Sequence, residues 1–320
     1  MQDFKGKYAV VSGGGTGIGR ELVRQLAREG CNVAMCDISE PNMAETLALI
    51  EQDGTPSNTR VTAHVADVSD EAQWIRFRDE FKAQHGVDKL NLLFNNAGVG
   101  AIISFIADSR EEWERTFNIN WGGAYLGCRT FLPLLMAADA GHIINTSSVN
   151  GFWACAGLDQ SHNAYCSAKF AVKGFTESLV TDLRLHAPHI KCSLVMPGHI
   201  GTSIIANARR IMGGHNTAAL DARELAETRS HMAHLGIDVA ELTDEEIQKH
   251  ADEQARRFVD NAPTSAAEAA QIMLDGVKAE RWRILVGEDA HLFDRVVRAD
   301  PENAYEPIFM DKVAAYLDWR

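Results

Sequence analysis

Tyr165 and Lys169 stand four residues apart at the start of a proline-free run to about Leu185. Phe170, Val172, Phe175, Leu179 and Leu183 recur along it at helix-like intervals, which predicts a long, largely buried helix. Side chains four apart share one face of a helix, so the phenol and the ammonium point the same way. A lysine cation beside a phenol favours the phenolate and should lower a pKa that is ordinarily about 10. The pair then forms an acid/base unit near neutral pH. The competing reading is a tyrosine that packs and a lysine that sits in solvent.

A second stretch carries different chemistry. Tyr8–Ser12 is a short apolar run, followed by Gly13-Gly14-Gly15-Thr16-Gly17-Ile18-Gly19 and a helical pattern with Leu22, Val23, Leu26 and Ala27. The next apolar run, Asn32–Cys36, closes on Asp37. Strand, glycine turn, helix, strand and acid form a dinucleotide-binding pattern. The glycines let backbone approach a pyrophosphate, the helix N-terminus faces it, and the acid binds ribose hydroxyls.

Elements must position these groups, and the chain supplies them by alternation. Helices are expected at about 40–52 and 70–85, and strands at Arg60–Ala66 and Leu90–Phe94. A long helix starts at Asp108 or Ser109 and carries Trp113, Phe117 and Tyr125; strands follow at His142–Asn145, Ile190–Met196 and Arg283–Val286. Such alternation implies an α/β fold, a Rossmann-like doubly wound parallel sheet of about seven strands. Ligands of these sheets bind beyond the carboxyl ends of the strands. Asp37, Asp67, Asn95, Ser148 and Pro197 all follow strands and should converge on one crevice.

Composition narrows the class. The 320 residues carry 31 Lys and Arg against 44 Asp and Glu, a net charge of −13, which argues against nucleic acid or an anionic membrane as partner. No apolar run reaches the length of a membrane span, and the N-terminus has no signal-peptide pattern. Cys31, Cys36, Cys128, Cys155, Cys166 and Cys192 form no CxxC pair, and no Cys/His cluster has zinc spacing. No metal site and a reducing, cytoplasmic compartment are expected.

The motifs Ser12–Gly19, Asn95-Asn96-Ala97-Gly98, Asn120, Ser147-Ser148, Tyr165-x-x-x-Lys169 and Pro197-Gly198 occur in the order found in the short-chain dehydrogenase/reductases, which the chain resembles over about residues 5–202 and again at about 265–287. The glycine spacing is similar to the compact type of that family. The resemblance implies that Tyr165 exchanges a proton with the substrate oxygen and that Lys169 tunes it and holds the nicotinamide ribose. It implies that Ser148 donates to the substrate oxygen, and that Asn120, rather than Asn118, supports a water leading from Lys169 to solvent. Ser147 matches a structural position. The implied cofactor site comprises Gly13, Gly15, Thr16, Gly17, Ile18, Gly19, Asp37, Asp67, Val68, Asn95, Ala97, Gly98, Tyr165, Lys169, Pro197, Gly198, Ile200 and Thr202. Asp37, with no basic residue at Ile38 or Thr16, points to NAD over NADP.

Two stretches depart from the family pattern. The segment between Ser148 and Tyr165 is longer than usual, and its Phe152 and Trp153 either line the substrate pocket or pack beneath the loop. After Thr202, a helical insertion at 203–262 replaces a short loop, with helical patterns at about 217–234 and after the capping box Thr243-Asp-Glu-Glu246. It is expected to be a lid over the substrate, hinged at Gly213-Gly214; the alternative is an oligomer-packing element. In the tail, 288–320, Phe309, Val313, Tyr316 and Leu317 share a helix face that must be covered.

These features imply one domain, 1–320, and an NAD-dependent oxidoreductase that interconverts a hydrophobic secondary alcohol and a ketone. The alternative is a catalytically silent NAD-binding regulatory or scaffold protein. The family is commonly tetrameric, so a homo-oligomer, tetramer or dimer, is expected through the helices at about 110–137 and 164–186.

Overall fold

The computed structural model describes residues 1–155, 161–212, 219–220, 222–234 and 237–314. Seven parallel strands form the central sheet, in chain order β1 (Tyr8–Ser12), β2 (Asn32–Asp37), β3 (Val61–Val65), β4 (Leu92–Asn95), β5 (Gly141–Thr146), β6 (Ile190–Pro197) and, after a minor pair, β9 (Arg283–Val286). Their spatial order is β3-β2-β1-β4-β5-β6-β9. The order reverses between β1 and β4, and that reversal opens a crevice at the carboxyl ends.

Strand side chains alternate between faces, and the two cores follow that alternation. Ala9, Val11, Val33, Met35, Leu92 and Phe94 join a core with helices α1 (Gly17–Arg28), α2 (Glu40–Asp53) and α10 (Ala266–Lys278). Val10, Ala34, Cys36 and Leu93 face the opposite core, with α3 (Glu71–His85), α5 (Gly123–Met136) and α6 (Asn163–His186). There Trp74, Phe77 and Phe81 meet Phe131, the rings 5.7–6.2 Å apart. Each such side chain, fully buried, contributes roughly 1.5–3 kcal/mol.

The expected single long helix from Ser109 is interrupted. Helix α4 (Arg110–Phe117) starts on a Ser109/Glu112 capping box and passes into a π-helical turn, Asn118–Gly122, before α5 begins. The wide turn turns Asn120 inward, where its Nδ2 donates to Thr116 O (2.9 Å) and Val99 O (3.0 Å). Such turns occur often at functional sites.

The insertion is helical, as expected, but begins with a helix that no sequence signal marked: α7 (Ile204–Met212), then α8 (Ala222–His234) and α9 (Asp244–Asp260). Helix α9 opens on the Thr243/Glu246 capping box. A two-stranded pair closes the base of the insertion, β7 (Ile200–Gly201) against β8 (Thr264–Ser265). Gly213-Gly214 lies outside the described residues.

The C-terminal helices α11 (Glu288–Ala299) and α12 (Pro307–Ala314) cover their apolar face on the body of the same chain. Phe293, Phe309 and Val313 gather around Trp153, which is 3% exposed and donates through Nε1 to Ala304 O at 2.7 Å. Trp153 therefore packs beneath its loop and does not line the pocket, because the tail surrounds the indole. Phe152 is half-buried beside the same cluster. Tyr316 and Leu317 lie outside the described residues. Among the described residues no helix is long and apolar enough to cross a membrane.

Candidate active site

The carboxyl ends of the strands meet as the alternation requires. Gly13 adopts φ +71°, and a Cβ there would lie 2.9 Å from Ala97 Cα, so the glycine turn touches the turn after β4. Ser12 Oγ accepts from Asn96 N and Ala97 N at 3.0 and 3.1 Å, fixing the two turns together. A Cβ on Gly98 would meet Asn120 Oδ1 at 2.7 Å and Lys169 Nζ at 3.3 Å, which ties that turn to both side chains. On the other side a Cβ on Gly17, itself at φ +54°, would meet Thr202 Cγ2 at 3.1 Å. Five sequence-distant segments thus border one crevice.

The glycine turn fits a dinucleotide. Thr16 caps α1 without using its side chain on the helix, which leaves the N-terminal N–H groups of α1 for an anion. Asp37 closes β2 with Oδ2 accepting from Gly15 N (3.0 Å) and Oδ1 from Ser39 N (3.0 Å). Burial pushes Asp37 up, while the N–H groups of Ser39, Gly15 and Ile38 and the charge of Arg20 work against it. Arg20 escaped notice in the sequence. It is tied to Gly15 O at 2.7 Å and to Glu45 at 2.6 Å, so it braces the turn.

Several residues expected at the cofactor site have side chains that brace the frame. The buried Asn95 side chain donates to Asn145 Oδ1 at 2.8 Å and joins β4 to β5. Val68 and Ile200 are buried, Val68 against the start of α5 and Ile200 in the core beside α10. Asp67 Oδ1 accepts from Ser69 N and Oγ at 2.8 and 2.7 Å. Ile18 is partly buried against the α1 core.

At the other end of the crevice, Ser148 follows β5, and its hydroxyl works to lower the pKa of Tyr165 on α6. Lys169 Nζ lies 5.4 Å from the Tyr165 ring centroid and donates to Thr146 O at 3.0 Å. Ser147 Oγ donates to Lys169 O at 2.8 Å, a structural bond as expected. A hydroxyl, a phenol and an ammonium therefore face one space beside Gly98 and Asn120. A family model described as short chain dehydrogenase matches residues 7–212. The chain is a short-chain dehydrogenase/reductase.

Three relatives of this short-chain dehydrogenase/reductase bear on its chemistry. A short chain dehydrogenase/reductase from Burkholderia phymatum, solved in complex with NAD, is 30% identical with a TM-score of 0.75, covering 94% of this chain and 96% of that one. A metagenomic short-chain oxidoreductase in complex with NADP is also 30% identical, with a TM-score of 0.54, covering 61% of this chain and 83% of its own. Human epidermal retinol dehydrogenase 2 is 32% identical over 204 residues, 63% of each chain.

The electrostatics of the short-chain dehydrogenase/reductase dyad differ from the sequence expectation. Burial pushes the Tyr165 phenol up to about 12, with the Ser148 hydrogen bond working the other way. Burial also pulls Lys169 down from 10.5 to about 8. Lys169 gives its hydrogen bond to the Thr146 carbonyl. Among the described residues no group of three His, Cys, Asp or Glu side chains could hold a metal ion.

The buried ammonium has a stability consequence. With the Lys169 pKa drawn from 10.5 to about 8, the unfolded chain holds the proton more tightly. The penalty, about 3 kcal/mol, is fully present below pH 8 and fades as pH rises through 10.5. Lys169→Met removes it but leaves Thr146 O without its donor, which costs about 1–2 kcal/mol. The variant is expected to melt a few degrees above wild type at pH 7 and to lose that gain toward pH 10.5, while turnover falls. Thermal melts at the two pH values check this; a lower melting temperature at pH 7 would contradict it.

Two residues escaped the sequence reading because their partners are remote. Asp289, in the first turn of α11, is buried and accepts from His199 N at 2.6 Å, holding the turn after β6. A Cβ at Gly198 would come 2.2 Å from that carboxylate, so only glycine allows it to lie there. Asn207 of α7 donates to Thr16 Oγ1 at 3.1 Å, so the insertion touches the glycine turn directly.

Proposed function

We propose that this chain is an NAD-dependent oxidoreductase that interconverts a hydrophobic secondary alcohol and a ketone. The observation that carries the reading is the Lys169 ammonium 5.4 Å from the Tyr165 ring on one helix face, with Lys169 beside Gly98 and the Ser148 hydroxyl near enough to lower the phenol pKa. NAD, when bound, supplies the hydride chemistry. The residues of the chain do the rest. Ser148 holds the substrate oxygen by a hydrogen bond that strengthens as charge develops there. Tyr165, kept protonated by its burial, gives its proton to that oxygen in reduction and takes one in oxidation. Lys169 stands behind it as the next proton carrier, and Asn120, beside Gly98, leads toward solvent. The retinol dehydrogenase relative supports an apolar alcohol as substrate class. Absorbance of NADH, followed with a panel of alicyclic, aromatic and aliphatic secondary alcohols and ketones, tests the reading. No turnover on any of them would overturn it.

We further propose that residues 203–262 act as a lid. Its first helix rests on the crevice: Asn207 bonds Thr16, Ile204 lies beside Gly100, and Thr116 Oγ1 meets Met212 Sδ at 3.8 Å. Closure there excludes water from the reacting oxygen. Replacing 203–262 by a short loop is expected to leave NAD affinity within about twofold, while KM for bulky alcohols rises roughly tenfold and kcat falls. Unchanged kinetics with a lost oligomeric state would make the segment an assembly element. Tyr125, Met136 and Phe170 are exposed on α5 and α6, the surface expected to pair copies of the chain in solution.

A further inference from the structure

The residue beyond the catalytic serine is bonded more heavily than a loop position requires. Asn150 N donates to Ser148 Oγ at 3.1 Å, and Ser148 Oγ donates back to Asn150 Oδ1 at 3.4 Å. The Asn150 Nδ2 donates outward, to Trp153 O at 3.2 Å and to Cys155 O at 2.8 Å. One side chain thus grips both the Ser148 hydroxyl and the backbone of 153–155. That backbone is held in turn by the C-terminal tail. Trp153 Nε1 donates to Ala304 O at 2.7 Å, and Ala154 N donates to the Tyr305 hydroxyl at 3.1 Å. The chain of contacts runs without a gap from the tail to the serine.

The other side of the serine is rigid. A Cβ at Gly151 would fall 2.2 Å from Ser147 Oγ and 2.9 Å from Lys169 O, so the turn after Ser148 is pressed against α6. The serine backbone is therefore set by β5 and α6, whereas the direction of its hydroxyl is set by Asn150. A hydroxyl rotates about one bond, and the strength of its hydrogen bond to a developing charge depends on that angle.

We propose that Asn150 is a positioning residue that transmits the hold of the C-terminal tail to the Ser148 hydroxyl, and that Tyr305 is a specificity-determining residue acting through it. The inference rests on the reading that Ser148 donates to the substrate oxygen. In the free protein the Ser148 hydroxyl donates to Asn150 Oδ1. Substrate oxygen enters as a second acceptor, and the grip of Asn150 keeps the hydroxyl within reach of it. Relaxing 153–155 swings Asn150 and misaims the donor.

The test is a double-mutant cycle on the full chain with Asn150→Ala and Tyr305→Phe. Asn150→Ala is expected to lower kcat by about tenfold to a hundredfold, the scale of a misplaced donor, with KM for NAD unchanged. Tyr305→Phe removes only the hydroxyl of a side chain that is 54% exposed, so the fold survives. It is expected to lower kcat several-fold and to change the ratio of kcat/KM between a bulky and a small alcohol. The double variant should be no slower than Asn150→Ala alone, because both act through one path. Hydrogen exchange at 152–155 should rise in Tyr305→Phe. Independent, multiplying losses, or an Asn150→Ala enzyme with wild-type kcat, would overturn the inference. If wild type turns over and Tyr165→Phe does not, those results leave the proposed function standing. A wild type that turns over nothing would sink both.

Discussion

Tyr165→Phe is expected to lower kcat by about 10²–10⁴-fold, the range of a lost general acid or base. The phenyl ring fills the same space, and Tyr165 is 9% exposed, so packing is kept. The Ser148 hydroxyl keeps Asn150 Oδ1, 3.4 Å away, as a partner. NAD affinity, measured by titration of intrinsic fluorescence, should therefore stay within about twofold of wild type and the melting temperature within a few degrees. The same loss should appear in kcat/KM, because the proton transfer stabilises the transition state and not the bound substrate. A variant that kept near wild-type turnover would remove Tyr165 from the mechanism. A variant that lost NAD binding along with turnover would mean that the ring, not the hydroxyl, is what matters.

A preference for NAD over NADP of about a hundredfold or more in kcat/KM is the second expectation. Asp37 is held at the end of β2 by two backbone N–H groups, so it cannot swing away from an incoming ribose phosphate. Bringing two like charges together costs several kcal/mol, and each ~1.4 kcal/mol is tenfold. The nearby cation gives no relief, because Arg20 is already bonded to Gly15 O and Glu45. Asp37→Asn removes the charge and keeps an acceptor for one of the two N–H groups, Gly15 N or Ser39 N. It is expected to narrow the preference below about tenfold, chiefly by improving NADP. Equal efficiency of wild type with both dinucleotides would overturn the assignment of Asp37.

Local chemistry made much of this legible. The capping box at Thr243 announced α9, and the glycine turn with Asp37 announced the first strand–helix–strand unit, because each is decided within a few residues. The alternation of strands and helices then brought the remaining motifs together by topology alone. What stayed hidden depended on partners far along the chain. Whether Trp153 faces the pocket or the tail is decided by Phe293, Ala304 and Phe309, and nothing near Trp153 hints at them. Asp289 looked like any acid in the first turn of a helix until Gly198 and His199 packed on it. The burial of the dyad was hidden for a related reason. Four-residue spacing shows that Tyr165 and Lys169 are neighbours, but the loss of water around both is a property of the whole site.

The tail's grip on Trp153 also bears on when the enzyme becomes complete. The two ends of that hydrogen bond are 151 residues apart. At ribosomal rates of about 5–20 residues per second, Trp153 leaves the ribosome roughly 8–30 s before Ala304. In that interval β6 and then α10 and β9 emerge in turn, while the indole has no cover. A nascent chain arrested just before residue 300 should thus hold NAD and yet present an unfinished wall beside Ser148, with Trp153 as the patch a chaperone would grasp.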